Sequence, residues 1–463
     1  MSHTSFARAS GILCHLTSLP SPYGVGDMGP MAYDFINRLS SAGQSYWQIL
    51  PVGNTDLTGC PYSTDSAFGC AEYYVSPEFL AQEFNFDCKL FDAFLLNTER
   101  VPFLTVQKNK LAMLEMAYQK FNAKENGNYQ EFLKIEGEWV FDYARFRALT
   151  SETHKNEDFF LFTQYVCFRQ LSHLKKYAND KSIKLVGDLP IFVSFKSMDV
   201  WINPQDFYLN QDGVMEYETG AAPDGFSPSG QKWGTPIYNW EKQKESDYEW
   251  WNKRLSFLKR YFDVVRIDHF RGFAATWISK VSDQDASAGF WYKGPGEDLF
   301  NKLRDYPEVF AEDLGFITKD VAELRDQFQF PSMKVFQFMS DDDSNPHKLS
   351  RYQENSVAYT GTHDCDTLMG WYNQLSNEEK KKIPGKNHWE MIETLMNTPS
   401  KLTIIQIQDL LGLGSEARFN YPGTVDDLNW TWRLSLNDYE ALDWEKLYSL
   451  TQTSNRLGKN LCG

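Results

Sequence analysis

The sequence predicts an α/β chain folded as a (β/α)8 TIM barrel, with subdomain insertions in its βα loops. Eight short runs rich in β-branched and aromatic residues, spread along the 463 residues, read as buried parallel strands. Helical stretches with apolar periodicity fall between them, the alternation that builds a parallel sheet with helices outside it. A doubly wound open sheet is the alternative, but no Gly-x-Gly-x-x-Gly run follows a strand. No tandem repeat, low-complexity tract or linker divides the chain, so a single barrel is expected over 1–463.

Taken in order, residues 11–16 form the first strand and 19–29 a Pro/Gly loop. A helix is expected over 31–42, closed by Gly43, before the second strand at 46–51. The third strand does not come until 183–188. An ordinary βα connection is far shorter, so 54–156 is read as an inserted, mostly helical subdomain. It opens with a turn-rich polar and aromatic loop at 58–65 and continues in helices at 106–121 and 129–149. A long helix at 158–177 leads back to the barrel. A second insertion, 194–247, contains the Gly-, Pro- and Ser-rich run 220–234, which reads as a loop. Loops of that size are functional or disordered, and the embedded Phe226 and Trp233 favour function. The fourth strand, 262–268, carries Arg266 and Asp268. Strands at 309–312, 333–338, 357–362 and 403–407 complete the count, with helices at 320–328 and 389–396 among them.

Composition narrows the partners. Asp and Glu outnumber Lys and Arg by 62 to 46, a formal charge of -16, and no long basic stretch offsets it. Lys380, Lys381 and Lys382 follow Glu378 and Glu379 on a polar helical segment, a solvated face. Nucleic acid and anionic membrane are therefore poor partners, and a neutral one suits the chain better. Aromatic residues make up 16%, many beside Gly, Asp and Asn, where flat rings can serve as stacking platforms. The seven cysteines include no Cys-x-x-Cys pair and no metal-ligand spacing, which favours a reducing compartment. With no apolar leader and no run long enough to span a bilayer, the expectation is a cytoplasmic protein, monomeric or weakly homo-oligomeric.

The chemistry gathers at the strand ends, where a barrel of this kind places its active site. On the fourth strand Val264, Arg266 and Asp268 share one side, since a strand alternates its faces. A carboxylate two residues from a guanidinium at the end of an apolar strand is held in its charged form, as a carboxylate nucleophile requires. A buried Arg–Asp pair that only staples the strand end is the other reading. Acids also end the third strand (Asp188), the fifth (Glu312, Asp313), the seventh (Asp364, Asp366) and the eighth (Asp409). Such convergence would be repulsive unless it served something. Carboxylates without metal-ligand spacing or a phosphate-binding loop suit glycosidic-bond chemistry. There a retaining pair stands about 5 Å apart, one nucleophile and one acid/base.

Three runs carry a family resemblance: 265–272 (VRIDHFRG), 311–315 (AEDLG) and 359–364 (YTGTHD). With the 16–21 opening and the 414–420 segment, they resemble the 4-α-glucanotransferases of glycoside hydrolase family 77, the amylomaltases or disproportionating enzymes, over nearly the whole chain. The resemblance implies that Asp268 is the nucleophile, Glu312 the general acid/base and Asp364 the transition-state stabiliser. It also implies donor-subsite roles for Asp188, Arg266 and His363. Tyr62, Asp224, Gln231 and Trp233 fall in segments similar to the family's substrate-binding loops, and Phe226 matches an aromatic lid position. The implied substrates are maltooligosaccharides and α-1,4-glucans, with no cofactor and no metal. Glu312 must be protonated for the first step and ionised for the second, so its pKa is expected above an ordinary carboxyl. One departure stands out: Cys365 occupies a position where the family usually carries Asn. Either Asp366 and Thr367 take over its polar contacts, which is the expectation, or the loop is softer, and the thiol is expected to lie beside the site within reach of a reagent. A hydrolase using the same intermediate and a non-catalytic glucan-binding protein are the alternatives, the latter disfavoured by the presence of Asp268 and Glu312.

Overall fold

Parallel pairing closes eight strands into a barrel in the computed structural model, which describes residues 6–224 and 227–458. In chain order the strands are β1 (Ala9–Leu13), β2 (Tyr46–Gln48), β3 (Lys184–Leu189), β4 (Tyr217–Ala221), β5 (Gln231–Thr235), β6 (Val264–Ile267), β7 (Ala275–Lys280), β8 (Phe290–Lys293), β9 (Glu308–Ala311), β10 (Ser332–Val335), β11 (Ser356–Tyr359) and β12 (Leu402–Gln406). The barrel runs β1-β2-β3-β6-β9-β10-β11-β12 and back to β1, so each of the eight runs read as a barrel strand is one. Apolar side chains bury both faces, which is why these strands read as continuous hydrophobic runs and not as alternating ones.

Helices cover the outside. Pro30–Ser41 starts with proline at its first turn, where the missing N–H costs nothing, and turns Ala32, Phe35, Ile36 and Leu39 toward the barrel. Each such apolar side chain contributes roughly 1.5–3 kcal/mol when fully buried. Between β2 and β3 lie the helices Pro77–Glu83, Phe103–Tyr118, Gly127–Thr150 and Glu157–Asp180. The last of these is buried almost continuously from Phe159 to Phe168, because it packs against Gly127–Thr150 on one side and against β3 on another. Its sequence is apolar around much of its circumference for that reason. Arg147 fastens this helical region to the loop after β2. Its guanidinium reaches Asp65 at 3.0 Å, Glu72 at 3.3 Å and the Tyr143 hydroxyl at 2.8 Å.

One element differs from the sequence reading. The 220–234 run is not a loop throughout: its two ends belong to β4 and β5, which form a hairpin that joins β7 and β8 in a four-stranded antiparallel sheet of order β5-β4-β7-β8. Two excursions, one after β3 and one after β6, therefore build a single unit. Glycine content suggested a loop, but Gly220 is there for close approach: a Cβ would fall 1.9 Å from the Gln231 carbonyl oxygen, at a register shift in the hairpin. Among the described residues no helix is long and apolar enough to cross a membrane.

Candidate active site

The site begins with strand register. Asp188 on β3 lies directly opposite Arg266 on β6, and Ile267 lies opposite Ala311 on β9. The residues that follow, Asp268 and Glu312, leave their strands side by side. Arg266 Nη1 donates to both Asp188 oxygens, at 2.9 and 2.8 Å, and its Nη2 lies 2.8 Å from Asp268 Oδ1. One guanidinium thus holds two carboxylates. Asp188 is fully enclosed, while the Asp268 side chain keeps 24% of its surface open. Tyr62, from the loop after β2, donates its hydroxyl to Asp188 Oδ2 at 2.7 Å. Its ring stacks on His363 at 5.1 Å and 20°.

Immediately after Asp268 the chain turns sharply. His269 adopts the left-handed conformation (φ 48°), rare for a residue with a side chain and concentrated at functional sites. The turn aims the His269 backbone N–H at Glu312 Oε2, 2.7 Å away, while Leu314 N–H donates to Oε1 at 2.9 Å. Burial pushes the Glu312 carboxyl up to about 8, against the opposing pull of Arg266 and these two N–H groups, and the charge of Asp268 adds to the rise. Burial also lowers the pKa of His363, against the opposing charge of Asp364, whose Oδ2 lies 3.5 Å from Nε2.

Asp364 is aimed by residues that carry no local signal. Asn420 Nδ2 donates to its Oδ1 at 2.6 Å, and Arg418 Nη2 holds its backbone carbonyl at 2.7 Å. Asn420 lies inside the 414–420 segment that supported the family resemblance, yet nothing in the residue itself marks it as a partner of Asp364. Trp430, 5.8 Å from both the Tyr62 and the His363 rings, is a second residue that sequence reasoning passed over.

The mouth gathers Asp188, Asp268, Glu312 and Asp364, and the other strand-end acids turn away from it. Asp313 accepts from Met333 N–H at 2.7 Å and pairs with Arg325. Asp366 accepts from Thr367 N–H and Ser415, and Asp409 is buried against Leu368 N–H at 2.7 Å. The contacts of Asp366 and Asp409 pin the loop after β11, in which the Cys365 N–H donates to Thr362 O at 2.9 Å. Cys365 is 5% exposed, its thiol lies 3.4 Å from Thr362 Oγ1, and burial pushes it up to about 11. The expectation of an accessible, reagent-sensitive thiol is therefore corrected: the residue lies next to Asp364 but is closed in.

The antiparallel sheet supplies the outer wall. Trp233 on β5 meets His269 edge-on at 4.9 Å, and its indole N–H donates to Gln231 Oε1 at 3.0 Å. Asp224, in the hairpin turn, accepts from Ser227 N–H at 2.9 Å. It lies beside the loop after β9, where a Cβ on Gly315 would come 3.9 Å from Asp224 Oδ2. Phe226 lies outside the described residues. Gly59, in the Tyr62 loop, is a packing glycine, with φ 71° and the Phe103 ring where a Cβ would go. Among the described residues no group of three or more His, Cys, Asp or Glu is arranged to hold a metal ion.

Known proteins share this chain's sequence and architecture. A family profile described as 4-alpha-glucanotransferase matches residues 14–158 and 150–437. The 4-alpha-glucanotransferase of Clostridium butyricum is 37% identical over 96% of this chain and 99% of its own length. That of Aquifex aeolicus is 38% identical over 93% and 96%. An amylomaltase from Streptococcus agalactiae, solved in complex with acarbose, superposes with a TM-score of 0.92 at 32% identity, covering 97% of this chain and 100% of that one. Barrel and relatives together define a transferase of the glycoside hydrolase type. The chain belongs to the 4-alpha-glucanotransferase family, glycoside hydrolase family 77.

Proposed function

We propose that the protein transfers α-1,4-glucan segments between maltooligosaccharides by double displacement, through a glucosyl ester on Asp268. The observation that carries this reading is the pairing of β6 with β9. Asp268 and Glu312 directly follow the paired Ile267 and Ala311. Neighbouring strands stand about 4.8 Å apart, so the two carboxyls start from adjacent backbone positions, as a retaining pair separated by about 5 Å requires. In the first step the Asp268 carboxylate attacks the anomeric carbon. The glycosidic bond breaks, and the Glu312 proton goes to the leaving 4-oxygen. In the second, ionised Glu312 takes the proton of an acceptor 4-hydroxyl, whose oxygen displaces Asp268. The raised Glu312 pKa supports this double duty, since it keeps both forms accessible near neutrality.

Asp364, held by Asn420, is suited to gripping sugar hydroxyls as the ring flattens toward its oxocarbenium-like transition state. Asp188, Arg266, Tyr62 and His363 form the donor end in this reading. Trp233, Gln231 and Asp224 line the acceptor side. That the Streptococcus agalactiae amylomaltase was solved in complex with acarbose supports a sugar-chain ligand. The reading includes no cofactor, a cytoplasmic location and a monomer or weak homo-oligomer. Incubation with maltotriose tests it: a ladder of longer glucans with free glucose is expected, whereas shorter sugars alone would mean hydrolysis.

A further inference from the structure

Three aromatic side chains beyond the mouth form a strip that this chemistry does not use. Trp277 on β7 pairs across the sheet with Trp291 on β8, their rings 5.1 Å apart at 69°. Phe316, in the loop after β9, lies 6.3 Å further on and within 18° of parallel to Trp291. The Arg271 guanidinium sits 3.7 Å over the Trp291 ring and 5.6 Å from that of Phe316. Its Nη1 donates to Thr318 Oγ1 at 2.8 Å, so the sheet and the β9 loop are clamped in one arrangement. Phe316 is nevertheless 61% exposed, and Trp277 and Trp291 beside it are half-buried. An exposed ring grouped with two partly exposed ones marks a binding surface, whereas an isolated exposed ring would not.

The strip is continuous with the mouth. Arg271 stands on the turn that follows Asp268, in the short helix Phe270–Phe273. Phe316 follows Gly315, where a Cβ would come 3.9 Å from the Asp224 carboxylate. A chain of sugars leaving the mouth between Asp224 and Gly315 would meet the Phe316 ring first and Trp291 next.

We propose that Trp277, Trp291 and Phe316 form an outer subsite for the distal glucose units of a long α-1,4-glucan; this rests on the glucan-transfer reading above. Glucose rings are neutral and present apolar C–H faces, which stack on aromatic faces. The chain's charge of -16 gives an anionic ligand no attraction, and Arg271 is already engaged by Thr318 and the rings. The competing occupant is a second copy of the chain docking on the same strip.

Phe316→Ala separates these outcomes, since an exposed loop side chain can be removed without disturbing the core. With long linear amylose the variant is expected to raise KM about three- to tenfold, the scale of one lost aromatic contact. With maltotriose, which fills only the mouth, kcat and KM are expected to stay within about twofold, and Phe316→Tyr is expected to restore the amylose KM. An unchanged amylose KM, or an equal rise for both substrates, would overturn the subsite. So would self-association of the wild type, seen by sedimentation, that Phe316→Ala abolishes. Affinity electrophoresis in amylose gels decides the matter independently of turnover: weaker retardation of Phe316→Ala supports the subsite and equal retardation overturns it. Failure of the wild type to elongate maltotriose would instead count against the transfer reading.

Discussion

The strand-end cluster and the antiparallel sheet beside it solve different problems with different means. In the cluster, Asp188, Arg266 and Glu312 are fixed by barrel register, by two carboxylates sharing one guanidinium and by backbone N–H donors. The sheet and the β9 loop beside it present half-buried or exposed rings, Trp233, Trp291 and Phe316, through van der Waals contacts and few polar bonds. Rigid charge placement suits a reaction whose charge develops at one carbon. Stacking faces suit a polymer that must slide and be released. Mutations should therefore divide cleanly, with kcat belonging to the cluster and KM to the sheet.

The sharpest division comes from Asp268→Ala. Its turnover is expected to fall about 10⁴-fold or more, the scale of a removed covalent nucleophile, while glucan binding survives. Retention of a tenth of the activity would remove Asp268 from the reaction.

Glu312→Gln probes the strain in the cluster. A carboxyl pushed up from 4.5 to about 8 by folding supports the folded state fully below its unfolded pKa, and that support is lost as pH rises through about 8. The variant carries no such group, so its melting temperature should gain on the wild type between about pH 4.5 and pH 8. A gap that does not change with pH would mean that Glu312 is not desolvated.

Trp233→Ala tests the sheet. Loss of one stacking ring is expected to raise KM by about 1–2 kcal/mol, roughly five- to thirtyfold, with kcat little changed. A fall in kcat with KM intact would place Trp233 in the cluster and erase the distinction.

The same contrast explains what could be read from the sequence. Arg266 and Asp268 sit two apart on one strand, so strand periodicity alone put them on one side and beside one another. The barrel was legible because its strands are buried on both faces and helices such as Pro30–Ser41 show an apolar stripe. The antiparallel sheet was not legible. Its strands come from both sides of β6, they pair only in three dimensions, and the composition of 220–234 looks like a loop whether or not it pairs. Asn420 was missed for a related reason: its bond to Asp364 spans 56 positions, and an amide carries no signature of what it will hold.

The smallest expected effect concerns Cys365. Asp364 takes its aim from Asn420 and Arg418, while Asp366 and Thr367 pin the loop, so Cys365→Asn should alter kcat less than about threefold. Asn420→Ala should cost clearly more than Cys365→Asn. The reverse order would mean that position 365 aims Asp364.

The central claim is the covalent ester on Asp268, and trapping it is the most direct test. An α-maltosyl fluoride donor needs no proton for its leaving group, so Glu312→Gln should still form the ester but lack the base that passes it to an acceptor. Mass spectrometry of the digested variant is expected to find one maltosyl group, on the peptide containing Asp268. Fluoride release with no adduct in the variant, or an adduct on a peptide that lacks Asp268, would contradict the account.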